Sequence, residues 1–581
     1  MKKVKTVTLY TPEGERFIKH PPKTPWDIYP RPRMQRDSFF CLNGQWRFIA
    51  IQGRNVCYDG DITVPFAPSS ALSGVNKVFA DGTRLCYSKK FSLPEGFIRD
   101  RVILHFGAVD QIAEVRLNGV ALGSHTGGYD AFSFDVTGYL KAENLLEVEA
   151  VDYLDKKVEP YGKQCHKRGG MWYTPVSGIW QTVWLESVPE RHITNIKINT
   201  DAYGADVYVE GDGELCGMVE LGHERFYLKN GHARVNVSSP RLWSPEDPYL
   251  YDIGVRVGKD YVLSYFALRT LEIREINGNN RLCLNGRPYF FHGLLDQGYF
   301  SDGIFLPADP SGYERDILEA KRFGFNMLRK HIKIEPEVFY SYCDSLGIVV
   351  FQDMVNNSDY SFLRDTVLPT IGIKKINDKR LHRDVATREA FLSLMDKTVE
   401  RLSFHPSVCY WTIFNEGWGQ FCHAEAYDRL RALDDTRFVD SVSGWFVPKD
   451  KNEFASDVES IHVYFKPVTL GECRTDKPKV LSEFGGYSYK VKGHCFNLKQ
   501  NYGYSSYKDL NVFEDALARL YNEEVIPLIG KGLCASVYTQ LTDVEDETNG
   551  LLTYDRQVVK VSEERMRAIA EDIFEEYINI K

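Results

Sequence analysis

Val408-Cys409-Tyr410-Trp411-Thr412-Ile413-Phe414-Asn415-Glu416-Gly417 is an apolar run, rich in aromatic and β-branched residues, that stops at Asn-Glu-Gly. Such a run reads as a strand buried on both faces. A carboxylate at the end of a buried strand is costly unless the strand opens into a site. Further along, Lys479-Val480-Leu481-Ser482-Glu483-Phe484-Gly485-Gly486 repeats the arrangement, a short strand leading to a glutamate and two glycines. Two glutamates at the tips of buried strands predict an α/β barrel that presents paired carboxylates.

The surrounding sequence agrees. From about residue 279, strand-like runs alternate with helical stretches. The runs are 289–293, 327–331, 348–352, the one ending at Glu416, 438–442, 460–464, the one ending at Glu483, and 535–540. Helical stretches fall at 313–323, 336–346, 388–402, 512–529 and 562–577. This predicts a (β/α)8 TIM barrel over residues 276–581. Upstream, short alternating runs such as Arg101–Phe106, Ala113–Leu117, Leu145–Val151 and Ile179–Glu186 are punctuated by turns such as Asn118-Gly119. They predict a jelly-roll β-sandwich over 1–189. A shorter β region over 190–275 suits an immunoglobulin-like sandwich.

Composition narrows the function. The chain has 581 residues, 43% apolar and 13% aromatic, with a net charge of −9. No long basic run is present, so nucleic acid is excluded as the expected partner. No apolar stretch approaches a membrane span, and the N-terminus lacks the apolar core of a secretory signal. Twelve scattered cysteines without a C-x-x-C pair read as reduced thiols, so the expected location is cytoplasmic.

In a barrel the strand tips supply the chemistry, and here they carry His331, Asp353, Asn415, Glu416, Tyr464, Glu483 and Gln540. Two carboxyls in unequal surroundings divide the labour of cleaving a glycosidic bond: one donates a proton, the other attacks. The motifs themselves resemble glycoside hydrolase family 2, which contains β-galactosidases, β-glucuronidases and β-mannosidases. Asn415-Glu416 is similar to its acid/base signature, Ser482-Glu483-Phe484-Gly485 to its nucleophile signature, and Asn326–His331 to its arginine–histidine motif. Leu42–Trp46, Ser177–Trp180 and Leu284–Pro288 resemble its sugar-binding domain and barrel entry.

The resemblance implies a retaining exo-β-glycosidase acting on a small oligosaccharide or glycoside. Glu416 is then the acid/base and Glu483 the nucleophile. Asn415 would bond the sugar 2-hydroxyl, Tyr464 would hold Glu483, and Arg329 and His331 would position sugar or nucleophile. Trp418 and Trp445 are candidates for the site floor. No cofactor is implied and no dedicated metal cage stands out. A homo-oligomer is compatible with the resemblance, and nothing in the sequence fixes a subunit number.

Three departures bear on the sugar. Where β-glucuronidases carry Asn-x-Lys, this chain reads Glu547-Thr548-Asn549; the missing lysine and the added glutamate argue for a neutral hexose, β-galactoside first. Lys490 or Lys492 keeps a β-glucuronidase or β-galacturonidase as the alternative. Trp172 stands where many relatives have an aspartate, and Tyr538-Thr539-Gln540 lacks their tryptophan. A non-catalytic carbohydrate-binding protein is the reading from another class. Asp353 is expected to be a strand-end residue bonded to backbone, and the acidic loop 542–550 a solvated or locally capped loop.

Overall fold

The computed structural model describes residues 6–213, 215–371, 373, 375–444, 447–448, 454–471 and 473–580. The first β region alternates inward and outward side chains, as in Asn144–Val151, where every second residue is buried. Six strands form one sheet and four form another. Trp46 and Phe48 from the first meet Leu104 and Phe106 from the second in a shared core. The run expected at 179–186 is broken: Gly178–Ile179 pairs with one short strand and Val183–Val188 joins the four-stranded sheet. The second β region packs a three-stranded sheet against a four-stranded one around Val207, Val235, Ile253 and Val255.

The barrel follows. Its strands are β1 (Phe291–Asp296), β2 (Met327–Lys330), β3 (Val349–Asp353), β4 (Val408–Asn415), β5 (Phe438–Ser443), β6 (Glu459–Val463), β7 (Lys479–Gly485) and β8 (Leu533–Thr539). The eight are parallel and run in the order β5-β4-β3-β2-β1-β8-β7-β6. β5 and β6 lie side by side without a ladder, and there Ser443 Oγ sits 3.1 Å from His462 Nε2. The fold is a jelly roll, an immunoglobulin-like sandwich and a C-terminal TIM barrel.

All eight predicted strands form, shifted by at most a few residues. Helices cover the five predicted stretches, the fourth as Leu510–Arg519, a π-helical turn Leu520–Val525 and Ile526–Ile529. Among the described residues, the helices Pro12–Lys19 and His423–Leu433 were not expected, nor was the π-helical turn Phe362–Val367 that leads into Leu368–Thr370. The lower barrel is filled by Phe291, Phe351, Tyr410 and Phe438, with the rings of Phe351 and Tyr410 stacked at 4.1 Å. One inward step up the strands the lining turns polar: Phe351 gives way to Asp353, Phe438 to Asp440 and Met327 to Arg329. No helix among the described residues is long and apolar enough to cross a membrane.

Candidate active site

Arg329 organises the polar layer. Its guanidinium is 1% exposed and spends its donors on three other strands. Nε donates to Asp353 Oδ1 at 2.9 Å, Nη1 to Ser482 O at 2.9 Å and Glu483 Oε1 at 3.2 Å, and Nη2 to Asn415 Oδ1 at 2.9 Å. A planar fork with fixed donors suits this role better than a lysine would. Asp353 is not bonded to backbone as expected. Its second oxygen lies 2.6 Å from His331 Nδ1, so the acid locks the arginine and the imidazole together.

Glu416 follows β4 in a left-handed conformation, φ 51°, anchored by its N–H donating to Ser443 O at 2.8 Å. That conformation is uncommon for a residue with a side chain. It turns the carboxylate back over the barrel, where Oε1 lies 2.8 Å from His462 Nδ1. The other ring nitrogen, Nε2, lies 3.7 Å from Glu483 Oε1. Tyr464 Oη donates to Glu483 Oε2 at 2.7 Å and also meets Thr539 Oγ1 at 2.9 Å. Tyr504 stacks on Tyr464 at 3.7 Å. Gly486, at φ 67°, makes that stack feasible, because a Cβ there would stand 2.2 Å from the Tyr504 ring.

The electrostatics of the two glutamates differ. Burial by itself would push the Glu483 carboxyl up, but His462, Arg329, His331 and Lys163 reverse the effect and hold it down at about 2. Glu483 is thus held as a carboxylate at neutral pH. One carboxylate oxygen each from Glu416 and Glu483 and a His462 nitrogen lie within 4.8 Å of one another. That spacing would also suit a metal ion, yet the Arg329 cation already faces Glu483 and opposes a second positive charge. Asp81, Asp155 and His166 of the jelly roll are similarly close, and His166 Nε2 lies 2.8 Å from Asp81.

The predicted residues Glu416, Glu483, Asn415, Arg329, His331 and Tyr464 therefore come together. Trp418 does not floor the site. It is buried behind Trp172 and Tyr360, with ring centroids at 5.1 and 6.0 Å, and its Nε1 donates to Ser358 O. Trp445 lies outside the described residues. Sequence reasoning passed over His462, although it stands two residues before Tyr464 and so faces the same side of β6. Ser443, Tyr504 and Lys163 carry no local signal of this kind.

The acidic loop is not solvated. Asp543, Glu545, Asp546 and Glu547 are all buried; Asp543 is held locally by Lys560 and Gly550, and the other three form a socket for the jelly-roll loop 161–174. Glu547 accepts from Tyr173 Oη at 2.9 Å and from Gln540 Nε2 at 2.7 Å. Glu545 accepts from Thr174 N at 2.8 Å and pairs with Arg168, which also reaches Asp546. The jelly-roll partners Arg168, Tyr173 and Thr174 lie more than 370 positions away in the chain, beyond any local pattern.

Comparison with known proteins follows this architecture. Residues 275–530 match the profile described as "Glycosyl hydrolases family 2, TIM barrel domain". Residues 72–175 match "Glycosyl hydrolase 2 galactose-binding domain-like" and 196–269 match "Glycosyl hydrolases family 2". A β-galactosidase of Thermoanaerobacter pseudethanolicus is 26% identical over 296 residues, 46% of this chain and 39% of that one. A putative β-glucuronidase of Formosa agariphila is 25% identical over 283 residues, 43% of this chain and 32% of that one. The chain thus spans less than two fifths of the length of these curated relatives. Among solved structures, a β-glucuronidase of an uncultured Clostridium superposes with TM-score 0.69 at 19% identity, covering 94% of this chain and 99% of that one. A β-galacturonidase of Eisenbergiella tayi bound to galacturonate gives 0.68 at 18%, with coverages of 94% and 99%. With three profiles matched in the family's own domain order, the chain belongs to glycoside hydrolase family 2.

Proposed function

We propose that this protein is a retaining exo-β-glycosidase that works by double displacement. The observation that carries the reading is the spacing of Glu416 and Glu483, whose carboxylate oxygens approach within 4.8 Å. Retaining enzymes hold their two carboxyls about 5–5.5 Å apart, whereas inverting ones leave about 6.5–9.5 Å for a water. Glu483, kept ionised by its cations, attacks the anomeric carbon. Glu416 protonates the departing oxygen, then takes a proton from the water that releases the sugar. His462, between the two, holds the Glu416 carboxyl in place for both steps. Asn415 spends its Oδ1 on Arg329, which leaves the amide N–H2 to meet the sugar 2-hydroxyl. An exo mode is supported by the jelly-roll loop plugged into the acidic socket, which walls the barrel mouth on one side.

A 2-deoxy-2-fluoro glycosyl fluoride tests the reading. The expected outcome is a covalent sugar adduct on the peptide containing Glu483, and, with an ordinary aryl β-glycoside that turns over, a β-anomer as the first product seen by NMR. An α-anomer as first product would overturn it. The relatives and neighbours act, by their names, on β-galactosides, β-glucuronides and β-galacturonides. The neutral-hexose expectation rested on a missing lysine and on Glu547 repelling an anion; both Glu547 oxygens accept from protein donors, Tyr173 and Gln540.

A further inference from the structure

Lys163 hangs into the barrel mouth from the jelly roll. Its backbone is fixed on both sides. The N–H groups of Tyr161 and Gly162 donate to Asn356 O at 3.0 and 3.1 Å, and Tyr173 N donates to Lys163 O at 2.9 Å. Tyr161 Oη donates to Ser358 O at 2.8 Å. Gly162, at φ 64°, approaches so closely that a Cβ would stand 2.8 Å from Ile332 O. Lys163 is therefore held beside the residue that follows His331. Its charge is felt by His331, Glu483 and Glu547, so the ammonium lies near all three.

Yet among the described residues its ammonium has no hydrogen bond and no ion pair. The fully buried lysines contrast with it: Lys330 pairs with Asp296 and Glu335, Lys333 with Glu335, and Lys560 with Asp543. Glu547, one of the acids that feel its charge, is already engaged by Tyr173 and Gln540. The two lysines expected from sequence do not serve. Lys490 Nζ donates to Gln500 O at 3.0 Å, and Lys492 is exposed to solvent. A partly buried cation, fixed at its backbone and unpaired, is built to receive an anion.

We infer that Lys163 is the specificity-determining residue of the site, and that it pairs with the C6 carboxylate of a terminal β-linked uronic acid, so that the substrate class is a β-uronide. The inference rests on the glycosidase reading above and deepens it.

The test measures kcat and KM for p-nitrophenyl β-glucuronide and β-galacturonide against the matching β-glucoside and β-galactoside, in the wild type, Lys163→Met and Lys163→Arg. For at least one pair the wild type is expected to favour the uronide. Lys163→Met should lower the uronide-to-hexoside ratio of kcat/KM about 10- to 100-fold, mostly through KM, the size of one charge-assisted hydrogen bond. Lys163→Arg should keep most of the ratio, which a purely structural role of Lys163 would not predict. A wild type that prefers hexosides, or a ratio unmoved by Lys163→Met, overturns the inference while leaving the glycosidase reading intact. Silence on all four substrates, together with no fluorosugar adduct on Glu483, overturns the glycosidase reading itself.

Discussion

Glu483 and Asp543 are both buried carboxyls at the mouth of the barrel, and their surroundings drive them in opposite directions. Glu483 faces His462, Arg329, His331 and Lys163, and these hold it at about 2 against the effect of burial. Asp543 has one cation, Lys560, with Nζ at 2.5 Å, and one backbone donor, Gly550 N; burial prevails and the carboxyl is pushed up to about 6. Its loop neighbours Glu545 and Glu547 are raised for the same first reason, burial. Burial alone therefore says little about an acid. The number of cations converging on it decides whether it is held as a carboxylate or pushed toward its neutral form.

Removing the charge from each side should separate the two roles most widely. Glu483→Gln should lower kcat on any accepted aryl glycoside by about 10⁴-fold or more, as for loss of a nucleophile. Glu545→Gln should leave kcat within about threefold, since its partners are Thr174 and Arg168 and not the sugar. Steady-state kinetics with far-UV circular dichroism on both variants makes the comparison. Similar losses in kcat would mean that the acidic loop takes part in the chemistry.

The next effect lies within the proposed catalytic pair. Glu416→Gln should cost about 10²–10³-fold on glycosides with poor leaving groups, and far less on activated aryl glycosides, which need little protonation. Equal losses on both would assign the acid/base role elsewhere, with His462 the first candidate to examine.

The same contrast explains what the sequence made readable. Barrel strands are buried on both faces, so β4 and β7 appear as apolar runs that need no partner to be recognised. Glu416 and Glu483 stand out because a charge interrupts such a run. The helix His423–Leu433 went unread because its buried face is thin, only His423, Ala426 and Leu430. The acidic loop was misread for a different reason. A cluster of acids is solvated unless donors arrive, and here the donors come from Arg168, Tyr173 and Thr174 in another domain. Asp353 likewise needed Arg329 and His331, whose side chains meet it only once β2 and β3 pair.

A pH titration of stability sharpens the comparison further. The folded Glu483 carboxyl lies at about 2, below its ordinary 4.5, so it contributes stability above about 4.5 that drains away as pH falls toward about 2. Asp543 has the opposite sign. Raised from 3.8 to about 6, it favours the fold most below 3.8, and that contribution is lost as pH rises through about 6. Glu483→Gln should therefore show a shallower fall in thermal midpoint between pH 4.5 and 3 than the wild type. An unchanged slope would mean that the cations around Glu483 do not hold its charge in solution.

The smallest expected effect concerns the socket. Arg168 is one-fifth exposed and bridges Glu545 and Asp546, so its pairs lie between the weak surface kind and the costly buried kind. Arg168→Met keeps the aliphatic stem and removes the guanidinium, whose carbon lies 4.6 Å from the Phe496 ring centroid, together with its charge. It should ease local opening of residues 165–174 and 543–548 by about 1–2 kcal/mol, read as faster amide exchange at Thr174, whose N–H is donated to Glu545. KM should rise, because Lys163 and Trp172 ride on the same loop, while kcat should hold, because Glu416 and Glu483 belong to the barrel. A fall in kcat with no change in amide exchange would instead tie Arg168 to the chemistry, and would erase the division between the acids that react and the acids that fasten.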